Sequence, residues 1–366
     1  MDDQKFLLLY GMLVGVLFAS FRKAAHDRKV ANVPIVGSSG FLASCWDGVR
    51  FIRHAPELIQ RGYDMYPEGI FRVARLFRWE VFGPLISNKN KSNAKAVKIL
   101  GPLIEERLAK EAELGPDWPG RPVKILVNND FISWMLNVAD EDQKAVLPLT
   151  LRIMSINMAA IHTSSATFTQ ALFDLTTHPE YLLPMREEAE CVVAEEGWSK
   201  AALNRMVKID SFLRESQRVN ISVPLVMRRK IVAKEGFQFS DGTILPSGSY
   251  LTVAARPTHY DESKYENAAK FDGFRFARER TEYQASNDVF KRQMISTAVD
   301  HLPFGTGKHA CPGRFFAAME LKAMMAHLVL NYDVKPEVEG VRPADVIFGE
   351  IIFPNPAGRV RFRKRQ

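Results

Sequence analysis

Apolar residues recur over much of the chain at the spacing of helices that bury one face. This spacing predicts helices over residues 51–66, 94–114, 145–175, 180–196, 201–219 and 313–331. The segment 145–175 is the longest and carries few charges, which is typical of a helix buried in a protein core. The chain is therefore expected to consist mainly of helices.

Shorter segments in which apolar and polar residues alternate predict strands between and after these helices. Residues 70–82 show the alternation in two short parts, and a polar, loop-like stretch follows at 83–93. Residues 229–255 alternate on both sides of Asp241 and Gly242, a dipeptide that favours tight hairpin turns. Extended turns follow the last helix. The predicted fold class is mainly α with small β-sheets.

Composition narrows the class of protein. The chain has 366 residues, of which 46% are hydrophobic and 25% charged, as expected for a globular protein with a sizeable core. Its cysteines, Cys45, Cys191 and Cys311, are far apart and odd in number, so they predict neither a disulfide framework nor a structural zinc site. The net charge of +7 is moderate and no basic patch is interleaved with aromatic residues, so no nucleic-acid partner is expected. A membrane surface or an acidic protein partner fits this charge better.

The N-terminal residues have the pattern of a membrane anchor. Residues 6–21 carry no charge, and the neighbouring Lys5, Arg22 and Lys23 can extend this short apolar segment by snorkelling. Acidic residues precede the segment and basic residues follow it, which places the rest of the chain in the cytosol. A cleaved signal peptide is the alternative, but its basic residues would stand on the other side. We predict an uncleaved anchor over 1–29 and a cytosolic domain over 30–366.

The most specific motif surrounds Cys311. Within "PFGTGKHACPGRFFA", residues 303–317, Phe304, Gly305, Gly307, Cys311 and Gly313 stand at fixed spacing directly before a predicted helix. A single cysteine is more often a small buried apolar residue. A zinc or thiol-redox enzyme is a third reading, but no second cysteine or histidine cluster accompanies this one. The complete pattern resembles the haem-binding loop of the cytochrome P-450 family, the haem-thiolate monooxygenases.

This resemblance implies a haem b whose iron is ligated by the Cys311 thiolate. Thiolate ligation favours cleavage of the O–O bond of dioxygen. The resemblance also implies that Phe304 screens the thiolate and that the loop glycines let the backbone approach the porphyrin. Two basic residues, His309 and Arg228, match positions that bind the haem propionates.

A second motif, "LRESQR" at 213–218, places Glu215 and Arg218 on one helix face. Taken alone, such a pair is commonplace on protein surfaces. In the cytochrome P-450 family an E-x-x-R motif pairs with a downstream arginine beneath the haem, and Arg275 in "FDGFRF" occupies that place. The resemblance therefore implies a structural triad of Glu215, Arg218 and Arg275.

A third motif, "AAIHTS" at 159–164, lies in the middle of the long apolar helix. It resembles the oxygen-activation segment of the family, with Thr163 at the threonine position and His162 where an acidic residue is usual. The resemblance implies that Thr163, with His162, manages protons at bound dioxygen. The alternative is that the Thr163 hydroxyl only bonds back to its own helix.

The resemblance is interrupted near residues 83–93, where family members have several additional helices over the distal haem face. We therefore expect a cytochrome P-450 fold that is internally truncated, with an exposed apolar face where the cover is missing. The expected activity is insertion of one oxygen atom from O₂ into a small apolar substrate, with electrons from NADPH through a cytochrome P-450 reductase at the endoplasmic reticulum membrane. The substrate class suggested by resemblance to fungal enzymes is a terpenoid or another secondary metabolite. The alternative is a non-catalytic haem-fold remnant from a mis-spliced or mispredicted gene.

Overall fold

The computed structural model describes residues 33, 35–36, 54–65, 72–73, 89–115, 131–283 and 292–366. The predicted anchor over 1–29 and most of the polar stretch 83–93 lie outside these residues. Within the ranges given, no helix is long and apolar enough to cross a membrane.

Helices make up most of the described chain. In chain order they are α1 at 54–65, α2 at Lys89–Leu114, α3 at Phe131–Val138, α4 at Val146–Thr177, α5 at Leu182–Glu196, α6 at Lys200–Arg205, α7 at Val207–Val219, α8 at Ala255–His259, α9 at Arg275–Tyr283 and α10 at Arg314–Asn331. The short helices α3, α8 and α9 were not predicted from periodicity. The helix predicted over 201–219 is divided at Met206, where φ is −74° and ψ is 82°.

The strands are short and pair two by two. They are β1 at Ile35–Val36, β2 at Arg72–Val73, β3 at Leu225–Lys230, β4 at Phe237–Gln238, β5 at Ile244–Leu245, β6 at Tyr250–Ala254, β7 at Tyr332–Pro336, β8 at Val346–Phe348, β9 at Ile351–Phe353 and β10 at Val360–Lys364. β1 and β2 are parallel, whereas β7–β10 and β8–β9 are antiparallel. The predicted hairpin at 229–255 consists of two antiparallel pairs, β3–β6 and β4–β5. The predicted class, mainly α with small sheets, is confirmed.

The chain divides into two compact units. One comprises residues up to Phe77 and from Ala166 onward, and the other comprises Arg78–Ser165. In the smaller unit, α2, α3 and the first half of α4 bury one apolar cluster, made of Ile104, Ile132, Met135, Leu136, Leu149 and Ile153. In the larger unit the core forms where α5, α7 and α10 meet the last turns of α4, and it includes Ala171, Met185, Phe212, Leu321 and Met325.

The long helix α4 is less buried than its sequence predicts. Its last turns are buried, with Phe173 and Leu175 almost inaccessible, but residues 154–159 and 161–163 are exposed. Met158 is 64% exposed and Ile161 is 59% exposed. An apolar helix is buried only if another element packs on it, and periodicity does not encode whether that element exists. The exposure agrees with the apolar face expected from a shortened chain.

Candidate functional site

Residues 302–313, here called the cysteine loop, begin at the buried Leu302 and lead into α10. The backbone of Gly305 has φ of 64° and that of Gly307 has φ of 70°, a region that favours glycine. These two reversals let the Cys311 backbone nitrogen donate to the Phe304 carbonyl oxygen at 2.8 Å. The loop is therefore closed by its own backbone, with Cys311 held next to Phe304.

Cys311 is a free cysteine that is partly exposed immediately before α10. Gly313 stands at the N-cap of that helix, and a Cβ at this position would lie 3.8 Å from the Cys311 Sγ. The positive end of the dipole of α10 therefore lies close to the sulfur. Arg314, which sequence reasoning missed, donates from Nη1 to the Cys311 carbonyl oxygen at 2.9 Å. Its position three residues after the cysteine was the only signal available.

The other residues assigned to this site from the sequence lie in and beside the cysteine loop. Phe304 packs against the core of the larger unit, and His309 is exposed in the short turn at Gly307–His309. Arg228 is exposed on β3 with its guanidinium 4.5 Å from the centre of the Tyr250 ring. The residue before it, Met227, reaches the loop, because a Cβ on Gly305 would lie 3.5 Å from the Met227 Cγ.

Glu215, Arg218 and Arg275 meet in the interior of the larger unit. Arg218 donates from Nε and Nη2 to the two oxygens of Glu215, both at 2.7 Å. Arg275 donates from Nε to Glu215 Oε1 at 3.3 Å. Glu215 and Arg218 are fully buried, and Arg275 is nearly so. Buried charges of this kind are tolerated only when they are paired and hydrogen-bonded, as these are.

The two arginines also fix the backbone that connects α8 to α9. Arg218 Nη1 donates to the carbonyl oxygens of His259 at 2.5 Å and Ala268 at 2.7 Å. Arg275 Nη1 donates to the Glu266 carbonyl oxygen at 2.6 Å. This connection contains little regular structure, so its carbonyl groups need partners from side chains. The cluster supplies those partners.

His162 and Thr163 lie on the exposed stretch of α4. The Thr163 hydroxyl donates to the Ala159 carbonyl oxygen at 2.5 Å, which is the local bond expected for a threonine within a helix. Both residues belong to the smaller unit, whereas the cysteine loop and the buried triad belong to the larger one. The structure therefore brings the residues of the cysteine loop together, and it brings the three residues of the triad together. His162 and Thr163 lie in the smaller unit, apart from both groups in the division of the chain.

Sequence reasoning missed a second buried ionic cluster around Asp210. Its carboxylate accepts from Arg280, from Lys322 Nζ at 3.1 Å and from the Met294 backbone nitrogen at 2.9 Å. Burial lowers the pKa of Lys322 to about 8. The cluster joins α7, α9 and α10, whose residues are far apart in the chain. No local spacing could have signalled it.

The residues of the cysteine loop fit a haem-thiolate ligand set. Cys311 provides a soft sulfur donor that is accessible and unpaired, and a helix N-terminus lies directly behind it. Gly313 leaves open the space beside the sulfur that a side chain would occupy. Soft thiolate ligands of this type suit iron.

Comparison with known proteins identifies a family whose members resemble this chain. A family model described as cytochrome P-450 matches residues 57–362. Cytochrome P-450 monooxygenase 151 of Postia placenta is 44% identical over 302 residues, which cover 81% of this chain and 58% of the relative. An ent-kaurene oxidase of Gibberella fujikuroi is 37% identical over 242 residues, which cover 65% of this chain and 47% of the relative.

A solved structure supports the fold. Retinoic acid-bound cyanobacterial CYP120A1 has a TM-score of 0.59 at 20% identity, with 75% of this chain and 57% of that chain covered. The chain spans about half to three-fifths of the length of the relatives it matches. The family match extends over most of the sequence and includes the cysteine loop and the buried triad. On this evidence, the chain belongs to the cytochrome P-450 family.

Proposed function

We propose that this chain is the haem-binding part of a monooxygenase that inserts one oxygen atom from O₂ into a small apolar organic substrate. The observation that carries the proposal is the cysteine loop. Two glycines with positive φ close it, and the partly exposed Cys311 thiol stands just before a long helix. Relatives named as cytochrome P-450 monooxygenases support the reaction class.

In this proposal Cys311 holds the iron of haem b, and the bound haem supplies the chemistry of oxygen activation. Phe304, which packs against the core of the larger unit, would shield the sulfur from water. His309 and Arg228 are both exposed, and they are the basic residues that would meet the haem carboxylates. Thr163, with His162 beside it, would hold or pass a proton on the side of the substrate.

The proposed triad of Glu215, Arg218 and Arg275 has a structural role. Glu215 and Arg218 have no access to solvent, Arg275 has very little, and their hydrogen bonds go to one another and to backbone groups. The triad holds the backbone between α8 and α9 in place. A fully buried ion pair of this kind cannot bind a substrate.

Electrons would come from NADPH through a cytochrome P-450 reductase. The uncharged segment 6–21 supports a single-pass anchor in the endoplasmic reticulum membrane over 1–29, with the catalytic domain 30–366 in the cytosol. A relative named as an ent-kaurene oxidase supports an apolar substrate, and a terpenoid or another secondary metabolite is the class we propose.

A second candidate is favoured by the exposed apolar stretch of α4. Met158 and Ile161 are more than half exposed, although helices of this hydrophobicity are normally covered. We propose that a segment is missing near residues 83–93, through mis-splicing or misprediction of the gene. A chain without it would be a non-catalytic haem-fold remnant.

The reduced protein exposed to CO tests the proposed ligation. Thiolate ligation gives a strongly red-shifted Soret band, which should appear in the unchanged chain reconstituted with haem and vanish in Cys311→Ala. The matched control is Cys191→Ala, which removes the other described cysteine, an exposed one on α5. If the band persists in Cys311→Ala, the assignment of the ligand is wrong.

A further inference from the structure

His259 lies at the end of α8 with its imidazole fully buried. Its Nδ1 is 3.0 Å from the Arg218 carbonyl oxygen, and its Nε2 is 2.9 Å from the Leu302 backbone nitrogen. A carbonyl group only accepts and a backbone N–H only donates. The ring is therefore neutral, with its proton on Nδ1, and both of its nitrogens are used.

The two partners of His259 belong to the two features already described. Arg218 belongs to the buried triad, and its guanidinium donates in return to the His259 carbonyl oxygen at 2.5 Å. Leu302 is the first residue of the cysteine loop, and its carbonyl oxygen accepts from the Gly305 backbone nitrogen at 2.9 Å. A continuous series of hydrogen bonds thus runs from the triad to the first glycine of the loop.

We propose that His259 is a positioning residue that couples the buried triad to the start of the cysteine loop. The imidazole sets the position of the Leu302 backbone nitrogen, and Leu302 in turn anchors the turn at Gly305. The coupling itself is a property of this chain, whereas its effect on haem ligation rests on the proposed function. Asn or Gln could each reproduce one half of the link, but neither reaches both partners.

A role in packing alone is the competing explanation. The His259 ring stacks on His301, with the two ring centres 5.5 Å apart and their planes at 20°. His301 is equally buried, yet neither of its ring nitrogens has a hydrogen-bond partner among the residues the structure describes. His301 is therefore a matched control, with the same ring and the same burial beside Leu302 but without the two hydrogen bonds.

Hydrogen exchange of the Leu302 amide, measured on the full haem-free chain with residue-level fragmentation, tests the coupling. His259→Gln places an amide oxygen near the former Nε2 and should retain the protection of Leu302. His259→Asn reaches only towards Arg218 and should raise exchange about tenfold, as should His259→Phe, which keeps a ring in place. His301→Phe should leave the exchange of the Leu302 amide unchanged.

Equal exchange in the Asn and Gln variants would overturn the proposal, and so would an equal rise in His301→Phe. Because Asn and Gln retain a polar side chain, the comparison stands even if an alanine variant does not fold. The CO-bound Soret band is recorded on the same variants after addition of haem. If the Leu302 amide follows the expected exchange pattern but the unchanged chain shows no thiolate band, the proposed function is refuted and the coupling stands. If the band is present but exchange of the Leu302 amide does not follow that pattern, only the coupling is refuted.

Discussion

Backbone conformation explains the identity of single residues in the cysteine loop. Gly305 and Gly307 have φ values of 64° and 70°, where a residue with a Cβ costs about 1–2 kcal/mol. At Gly307 a Cβ would meet no other heavy atom within 4 Å, so strain rather than collision selects glycine there. The conformations that these two residues adopt bring the Cys311 backbone back to Phe304.

Thr163 provides the first prediction at this scale. In a version of the chain that turns over, Thr163→Ala should keep haem and substrate binding but divert electrons into hydrogen peroxide, because it removes the hydroxyl that we propose handles the proton. The measurement is the ratio of NADPH consumed to product formed, together with the peroxide released. Thr163→Ser, which keeps a hydroxyl, is the control and should remain largely coupled. Unchanged coupling in the alanine variant would leave Thr163 only its bond to the Ala159 carbonyl oxygen.

His301 provides a prediction about pH. Burial holds the pKa of His301 well below its usual value of 6.5. As the pH falls below about 6.5, the unfolded chain takes up a proton that the folded chain does not, so stability decreases by up to about 1.4 kcal/mol per pH unit. His301→Phe should remove this loss.

The test compares the urea midpoints of the parent chain and of His301→Phe between pH 7 and 5 (a range chosen from the usual histidine pKa). As the pH falls, the urea midpoint of His301→Phe should rise relative to that of the parent chain. Because carboxylates titrate in both proteins alike, they cancel in this difference. A constant difference across the range would mean that the His301 ring is protonated, or accessible to water, in the folded protein.

At the scale of elements, α7 organises the larger unit. Every residue from Ile209 to Arg218 is buried, although seven of these ten residues are polar or charged. Glu215 and Arg218 hold the connection between α8 and α9, and Asp210 joins α9 to α10 through Arg280 and Lys322. A buried helix with this composition is stable only when its partners are all in place. We therefore expect α7, α9 and α10 to unfold together.

The triad gives the prediction at this scale. Glu215→Ala leaves Arg218 buried without its carboxylate and should cost about 3–5 kcal/mol, a large fraction of the stability of a typical domain. Arg275→Ala should also be strongly destabilising, and the double variant should be little worse than either single one. Soluble yield and the urea midpoint are the measurements.

Glu190 supplies the control for the triad. It pairs with Arg365 at 2.9 Å, but both side chains are substantially exposed. Glu190→Ala should therefore be nearly neutral, because exposed ion pairs contribute little. Small and additive losses in the triad variants, similar to that of Glu190→Ala, would show that the three buried residues act independently.

At the scale of the whole molecule, the length of the chain decides whether the apolar side chains of α4 are covered. The relatives are considerably longer than the region they share with this chain, and α4 exposes Met154, Ile156, Met158 and Ile161. Covering such side chains is worth roughly 25 cal/mol for each Å² removed from water. We propose that the missing segment near 83–93 supplies this cover in the relatives.

Restoring the segment gives the last prediction. The chain as it stands should bind haem weakly and aggregate, whereas a version with the corresponding segment of the Postia placenta relative inserted between Phe82 and Ala94 should bind haem orders of magnitude more tightly. Haem titration and size-exclusion chromatography are the measurements. Ile161→Lys should reduce aggregation of the short chain if the α4 face is uncovered. Tight haem retention and coupled turnover by the unchanged chain would contradict the proposed deletion.

The sequence by itself determined the features that depend on neighbouring residues. The loop around Cys311, the shared helix face of Glu215 and Arg218, and the predominance of helices are written in local spacing and in glycine placement. Resemblance to the cytochrome P-450 family also indicated Arg275 as the partner of that pair, although it is far along the chain. The local features can be predicted from the sequence because backbone conformation depends mainly on residues a few positions apart.

Only the tertiary structure decided which surfaces are covered and which distant groups meet. Periodicity predicted a buried α4, yet burial requires a second element, and the middle of this helix is exposed. Asp210 meets Arg280 and Lys322, and His259 meets Leu302, across separations of tens of residues or more in the chain. Such contacts depend on how elements pack, because hydrogen bonds between distant residues form only after the chain has folded.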